Sequence, residues 1–235
     1  MKSRSGIFGI LAAAIFFAAA AVSAAAFEDG VFSPFNCFVT ELGAYTREYM
    51  AVSPALVFNA GMTASGLLLC IFMIMYGIRK NSPLYTATSF MGVLCGMIMA
   101  AQGVFTLNFP DFHHILTGAL SASIFAACLL HIISEIRSSS QSSGLAGCIA
   151  AFFAGAASVV FFAFTITGGV GSVLAEDLSG AARRYFMPFA VVQWASYVLL
   201  FIFISIVSVK TLIAKGPAAR GKDGNNIIRN SGIEL

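Results

Sequence analysis

The chain has 235 residues, of which 59% are hydrophobic and only 10% charged, and its mean hydropathy is +0.90. A soluble domain needs about 25% charged residues to coat its surface, so this composition excludes a free-standing soluble enzyme and places the chain in a membrane. Thirteen basic residues against ten acidic ones leave a net charge of +3, which is a property of the loops and implies no nucleic-acid partner.

Uncharged stretches bounded by charges mark the spans, because an ion in hydrocarbon is costly while a helix satisfies its own backbone. Six such stretches occur, with membrane cores near 6–26, 54–78, 84–107, 115–133, 144–169 and 185–209. Each approaches the roughly 20 residues that cross a bilayer as a helix, and none alternates in polarity as a barrel strand does. The expected fold is therefore all-α, a polytopic transmembrane bundle of six helices over residues 1–215. A disordered basic cytoplasmic tail follows over residues 216–235, rich in Gly, Asn, Lys and Arg.

The first run follows Lys2 and Arg4 and ends in Ala24-Ala25-Ala26. It reads as a retained helix, since it exceeds the apolar length of about 7 to 15 residues in a signal peptide, with cleavage as the alternative. The connection from Glu28 to Ser53 carries Phe32, Phe35, Phe38, Leu42, Tyr45 and Tyr49 at helical spacing. Ser33 and Pro34 would open this stripe and Gly43 would close its first part. It reads either as an interfacial helix resting in the headgroups or as a lid over an outward-facing cavity. Gly92 with Gly96, and Gly147 with Ala151 and Gly155, are small-residue patterns for close helix packing within the chain, with dimerisation as the alternative. Cys70, Cys95, Cys128 and Cys148 lie within spans and Cys37 alone in an outer loop. That spacing predicts neither a metal site nor a disulfide, and it makes Cys37 the thiol that outside labelling would reach.

Basic residues set the orientation. Ten of the thirteen, namely Lys2, Arg4, Arg79, Lys80, Arg137, Lys210, Lys215, Arg220, Lys222 and Arg229, fall on one side of a six-span layout. Arg47, Arg183 and Arg184 fall on the other with seven of the ten acids, so both termini are predicted to be cytoplasmic, in a multi-pass protein of the cell membrane.

No Asp, Glu, Lys or Arg lies in any of the six cores, which argues against an ion-coupled pump. The polar residues that do lie there are Asn59, Gln102, His131 and Gln193. Asn59, Gln102 and Gln193 share a depth of roughly 8 Å from the outer ends of their helices and are expected to face one another. Glu41, His113 and His114 stand at the same rim. These six residues are the candidate outward-facing polar layer, for a lipid or a small polar ligand; the plainer reading is hydrogen bonding between helices. His131 precedes Glu135 by four residues, so a local hydrogen bond between them is expected. Asp111, His113 and His114 carry the chemistry of a zinc site, but adjacent histidines on a helix diverge by about 100°, so no metal and no cofactor are expected.

The stretches Glu41-Leu42-Gly43-Ala44, Phe58-Asn59-Ala60-Gly61 and Gly103-Val104-Phe105, followed by His113 and His114, resemble a prokaryotic six-helix membrane family catalogued as domain of unknown function 998. The usual Gly-x-Phe-Pro of such proteins reads Gly103-Val104-Phe105-Thr106 here. More distantly the chain is similar to the damage-regulated autophagy modulator group, whose members are associated with membrane and lipid regulation. The resemblance implies the six-span layout and makes Glu41, Asn59 and His113 or His114 the recurring polar positions. A non-enzymatic protein that binds or organises membrane lipids is the expected function. The alternatives are a membrane-embedded metal-dependent hydrolase using Asp111, His113 and His114, and a passive small-molecule transporter.

Overall fold

A computed structural model describes residues 4–27, 32–44, 52–80, 82–138, 144–167 and 186–213. They form six long helices: α1 (Gly6–Ala25), α2 (Val52–Lys80), α3 (Pro83–Val104), α4 (Pro110–Arg137), α5 (Leu145–Ile166) and α6 (Pro188–Ile213). All six are long and apolar enough to cross a membrane, so this is a six-helix, multi-pass membrane protein. The tail at 216–235 lies outside the described residues, as do Tyr45 and Tyr49.

Each helix packs on its neighbours in sequence, and α6 returns to α1, closing a ring. Six crossings bring the start of α1 beside the end of α6, where Gly6 lies against the Ser208 carbonyl and Leu212. The helices sort their side chains by size as well as by polarity. In α1 the buried stripe is Gly6, Gly9, Ala12, Ala13, Phe16, Ala19, Ala20 and Ser23, while Ile7, Ile10, Leu11, Phe17 and Val22 face outward. Lipid tails solvate leucine as well as a protein core does, so close backbone packing, and not burial of bulk, selects what faces inward. The most extensive contact is between α2 and α3, where a methyl on Gly96 would stand 2.6 Å from the Gly66 carbonyl oxygen and from Cys70 Sγ. Gly92 also faces α2, and Gly155 faces α4, so these small residues serve packing within the chain.

The helix ends depart from the predicted cores in an instructive way. Pro110 takes the first turn of α4, the position that suits its fixed φ and missing N–H, so Asp111, His113 and His114 belong to the helix and the turn is confined to 105–109. At the opposite end α2, α4 and α6 continue to Lys80, Arg137 and Ile213. Lys80, Glu135 and Lys210 therefore stand on helices and not in loops.

Candidate functional sites at the two ends of the bundle

Residues 36–44 are not an interfacial helix lying in the headgroups. The chain turns at Ser33–Asn36, where the Cys37 N–H donates to Ser33 O at 2.9 Å, then forms a short 3-10 turn at Val39–Gly43. This segment sinks into the bundle: Cys37, Val39, Leu42 and Ala44 are each 0% exposed. The 3-10 turn packs against α1, α2 and α6, while Phe38 joins Phe161, Met187 and Ala190 in a second small core. The segment is a plug seated in the bundle, and the expected accessibility of Cys37 is corrected to full burial.

The polar residues of this plug end hold the segment in place. The Val39 N–H donates to Gln193 Oε1 at 2.8 Å, Asn59 Nδ2 donates to Gly43 O at 3.1 Å, and Trp194 Nε1 donates to Cys37 O at 2.9 Å. The Met187 N–H reaches Phe35 O at 2.7 Å. Glu41, itself 3% exposed, accepts the Phe38 N–H on Oε2 at 2.8 Å. A short segment buried in this way must satisfy its own backbone groups, and the buried amides supply the partners.

Gln102 belongs to a different knot. Its Nε2 donates to Thr117 Oγ1 at 2.9 Å and its Oε1 accepts the Tyr197 hydroxyl at 2.8 Å, which ties α3, α4 and α6 across the ring. Asn59, Gln102 and Gln193 thus take separate partners, which corrects the expectation that they face one another. His113, 2% exposed, turns inward, and its Nδ1 donates to Phe105 O at 3.1 Å, fastening the start of α4 to the end of α3. His114 is half-buried and Asp111 exposed, so the three candidate metal ligands point apart. Among the described residues, no three His, Cys, Asp or Glu side chains gather as a metal-sized group.

The opposite end, here called the latch end, holds a cluster that sequence reasoning missed. Glu135 of α4 accepts the Tyr85 hydroxyl at 3.0 Å on Oε1, with Lys80 Nζ 3.7 Å from the same oxygen and Lys210 Nζ 3.8 Å from Oε2. One carboxylate thereby links α2, α3, α4 and α6, and a methyl on Gly144 would lie 2.7 Å from Oε2, so the start of α5 abuts it as well. Lys80 Nζ also sits 4.3 Å from the centre of the Tyr85 ring, a favourable place for a cation. Among the described residues two ammonium groups face one carboxylate, so these three groups together carry a net positive charge. Arg79 adds a further cation and donates to Thr211 O at 2.5 Å.

His131 does not bond Glu135 as expected from their spacing. It is 1% exposed, its Nδ1 lies 3.5 Å from the Tyr76 hydroxyl, and its ring meets Phe203 edge to face at 4.9 Å. The signal for the whole cluster was present in the sequence, since Lys80, Tyr85, Glu135 and Lys210 all stand within about two turns of a span end. A search confined to uncharged cores passes over them.

A lipid-facing groove lies between α2 and α3 near this end. It has a volume of about 410 Å³ and is lined by Ile74, Gly77, Ile78, Thr86, Ser89, Phe90 and Val93. Comparison with family models, with curated proteins and with solved structures yields no match to this chain.

Proposed function

We propose that this chain is a non-enzymatic, multi-pass protein of the cell membrane that gathers anionic phospholipid around its latch end, with that end facing the cytoplasm. The observation that carries the reading is the excess of ammonium groups at one end of the bundle: among the described residues, Lys80 and Lys210 share a single carboxylate, Glu135. Cytoplasmic ends of spans are rich in Lys and Arg, and the cytoplasmic leaflet carries the anionic lipids that such residues attract by about 1 kcal/mol each.

The plug end supports the same reading from the other side. Its polar groups, Glu41, Asn59, Gln102, His113 and Gln193, are engaged in hydrogen bonds within the chain, so their geometry favours sealing over capture of a ligand. A passive transporter would have to expel residues 36–44, and a hydrolase would have to swing His113 away from Phe105. Kinship with the family catalogued as domain of unknown function 998 belongs to this proposal, since the positions that carry the resemblance, Glu41, Asn59 and His113, are all buried at the plug end.

The test is extraction into polymer nanodiscs without detergent, followed by quantification of lipid headgroups in the disc and in the parent membrane. Enrichment of anionic headgroups in the disc is expected. A disc composition equal to that of the bulk membrane would overturn the proposal.

A further inference from the structure

His131 Nε2 is buried and has no hydrogen-bond partner among the described residues. Buried ring nitrogens are seldom left so, and each one calls for an explanation. A methyl placed on Gly147, in the first turn of α5, would stand 3.3 Å from this nitrogen and 3.7 Å from Lys210 Nζ. Among the described residues those are the two groups outside the local chain within 4 Å of that point. Two nitrogens from α4 and α6 therefore border one gap, which exists because residue 147 has no side chain.

The chemistry of the gap favours an oxygen acceptor. The Tyr76 hydroxyl lies 3.5 Å from Nδ1; in the tautomer in which it donates there, the imidazole proton is on Nε2 and points at the gap, and the Lys210 ammonium carries three donors and no acceptor. The start of α5 adds to this, because the first N–H groups of a helix lack intrahelical partners and its N-terminus favours negative charge. Glu135 Oε2 already lies against Gly144 at that terminus. Among the described residues this one carboxylate faces both Lys80 and Lys210, so the three groups carry a net positive charge.

We infer that His131 Nε2, Lys210 Nζ and the first turn of α5 around Gly147 form a binding site for an anionic phosphate oxygen, supplied by the headgroup of a phospholipid in the adjoining leaflet. This rests on the reading of the latch end as the lipid-gathering end. Lys210 retains 28% side-chain exposure, so the site is open at its rim to a headgroup arriving from the bilayer surface.

The experiment is a titration of the purified full chain, labelled with ¹⁵N-histidine. His131 is assigned by the signal lost in His131→Phe, which keeps an aromatic ring against Phe203. The probes are dioctanoyl phosphatidylglycerol, dioctanoyl phosphatidylcholine and inorganic phosphate. Phosphatidylglycerol should shift the His131 Nε2 resonance saturably, with phosphatidylcholine and inorganic phosphate each at least about tenfold weaker. Gly147→Ala, whose methyl fills the gap, should weaken the phosphatidylglycerol response about tenfold with an unchanged melting temperature, and Lys210→Gln should weaken it similarly. Equal potency of inorganic phosphate would overturn the lipid as the occupant. Anionic lipid retained by the protein with no response at His131, or with full response in Gly147→Ala, would overturn the site and leave the proposed function standing. A wild-type protein that retains no anionic lipid would overturn the proposed function itself.

Discussion

Replacing Gln193 by leucine removes the acceptor that the Val39 N–H meets at 2.8 Å. Val39 is 0% exposed and its neighbours are apolar or already bonded, so the amide is stranded with no route to water while the segment stays seated. A buried donor left without a partner costs about 1–3 kcal/mol. That cost falls on the closed state alone, because an expelled segment would solvate the amide. The equilibrium between closed and open plug should therefore shift toward open by about 5- to 140-fold. Cys37 is the reporter, since it is 0% exposed when the plug is seated and becomes reactive when it leaves. In a background with Cys70, Cys95, Cys128 and Cys148 replaced by alanine, the rate of modification by a bulky, membrane-impermeant maleimide should rise by that factor. The reagent must be dilute enough that opening and closing outpace alkylation. An unchanged rate in Gln193→Leu would refute the claim that this bond holds the segment down. Wild-type labelling as fast as that of a free peptide would refute the plug altogether.

Three further outcomes follow from the same contacts. Asn59→Leu releases Gly43 O at the other end of the plug, so its effect on stability should combine less than additively with that of Gln193→Leu; with Gln102→Leu, whose partners are Thr117 and Tyr197, it should add within about 0.5 kcal/mol in equilibrium unfolding. Glu135→Gln leaves Lys80 and Lys210 without their shared counter-charge, and given the 39% and 28% exposure of those lysines the loss should be about 1–2 kcal/mol by thermal unfolding, discounted from a fully buried pair. Gly96→Ala should cost about 1–3 kcal/mol because the added methyl meets the Gly66 backbone at 2.6 Å, whereas Gly92→Ala should cost less, since the three atoms nearest its methyl all belong to the flexible Met73 side chain.

Six spans were legible because hydropathy along the chain reports the one constraint that dominates in lipid, the satisfaction of every backbone group by a helix. The same criterion misplaced the ends. It stopped α2 near Ile78, α4 near Ile133 and α6 near Val209, although these helices run on to Lys80, Arg137 and Ile213. A charge ends an apolar run but does not end a helix, and Glu135 pairs with both Lys80 and Lys210 across helices that lie apart in sequence. Only the tertiary arrangement shows that pairing. The spacing of Phe32, Phe35, Phe38 and Leu42 suggested one continuous amphipathic helix, yet Phe38 is extended, with φ −67° and ψ 148°, and it breaks the run into a turn and a short 3-10 segment. What had no sequence signal was the occupant of the amides: the partners of Asn59 and Gln193 are backbone groups of residues 43 and 39, which no side-chain pattern announces.

The central claim, that the latch end collects anionic lipid, is tested most directly by electron paramagnetic resonance of spin-labelled lipids around the protein in bilayers. Spin-labelled phosphatidylglycerol should show a larger motionally restricted fraction than spin-labelled phosphatidylcholine. The difference should shrink on going from about 0.01 M to 1 M salt, as the screening length falls from about 30 Å to 3 Å, and should diminish in the double variant Lys80→Gln with Lys210→Gln. Equal restricted fractions for the two lipids at low salt would contradict the account.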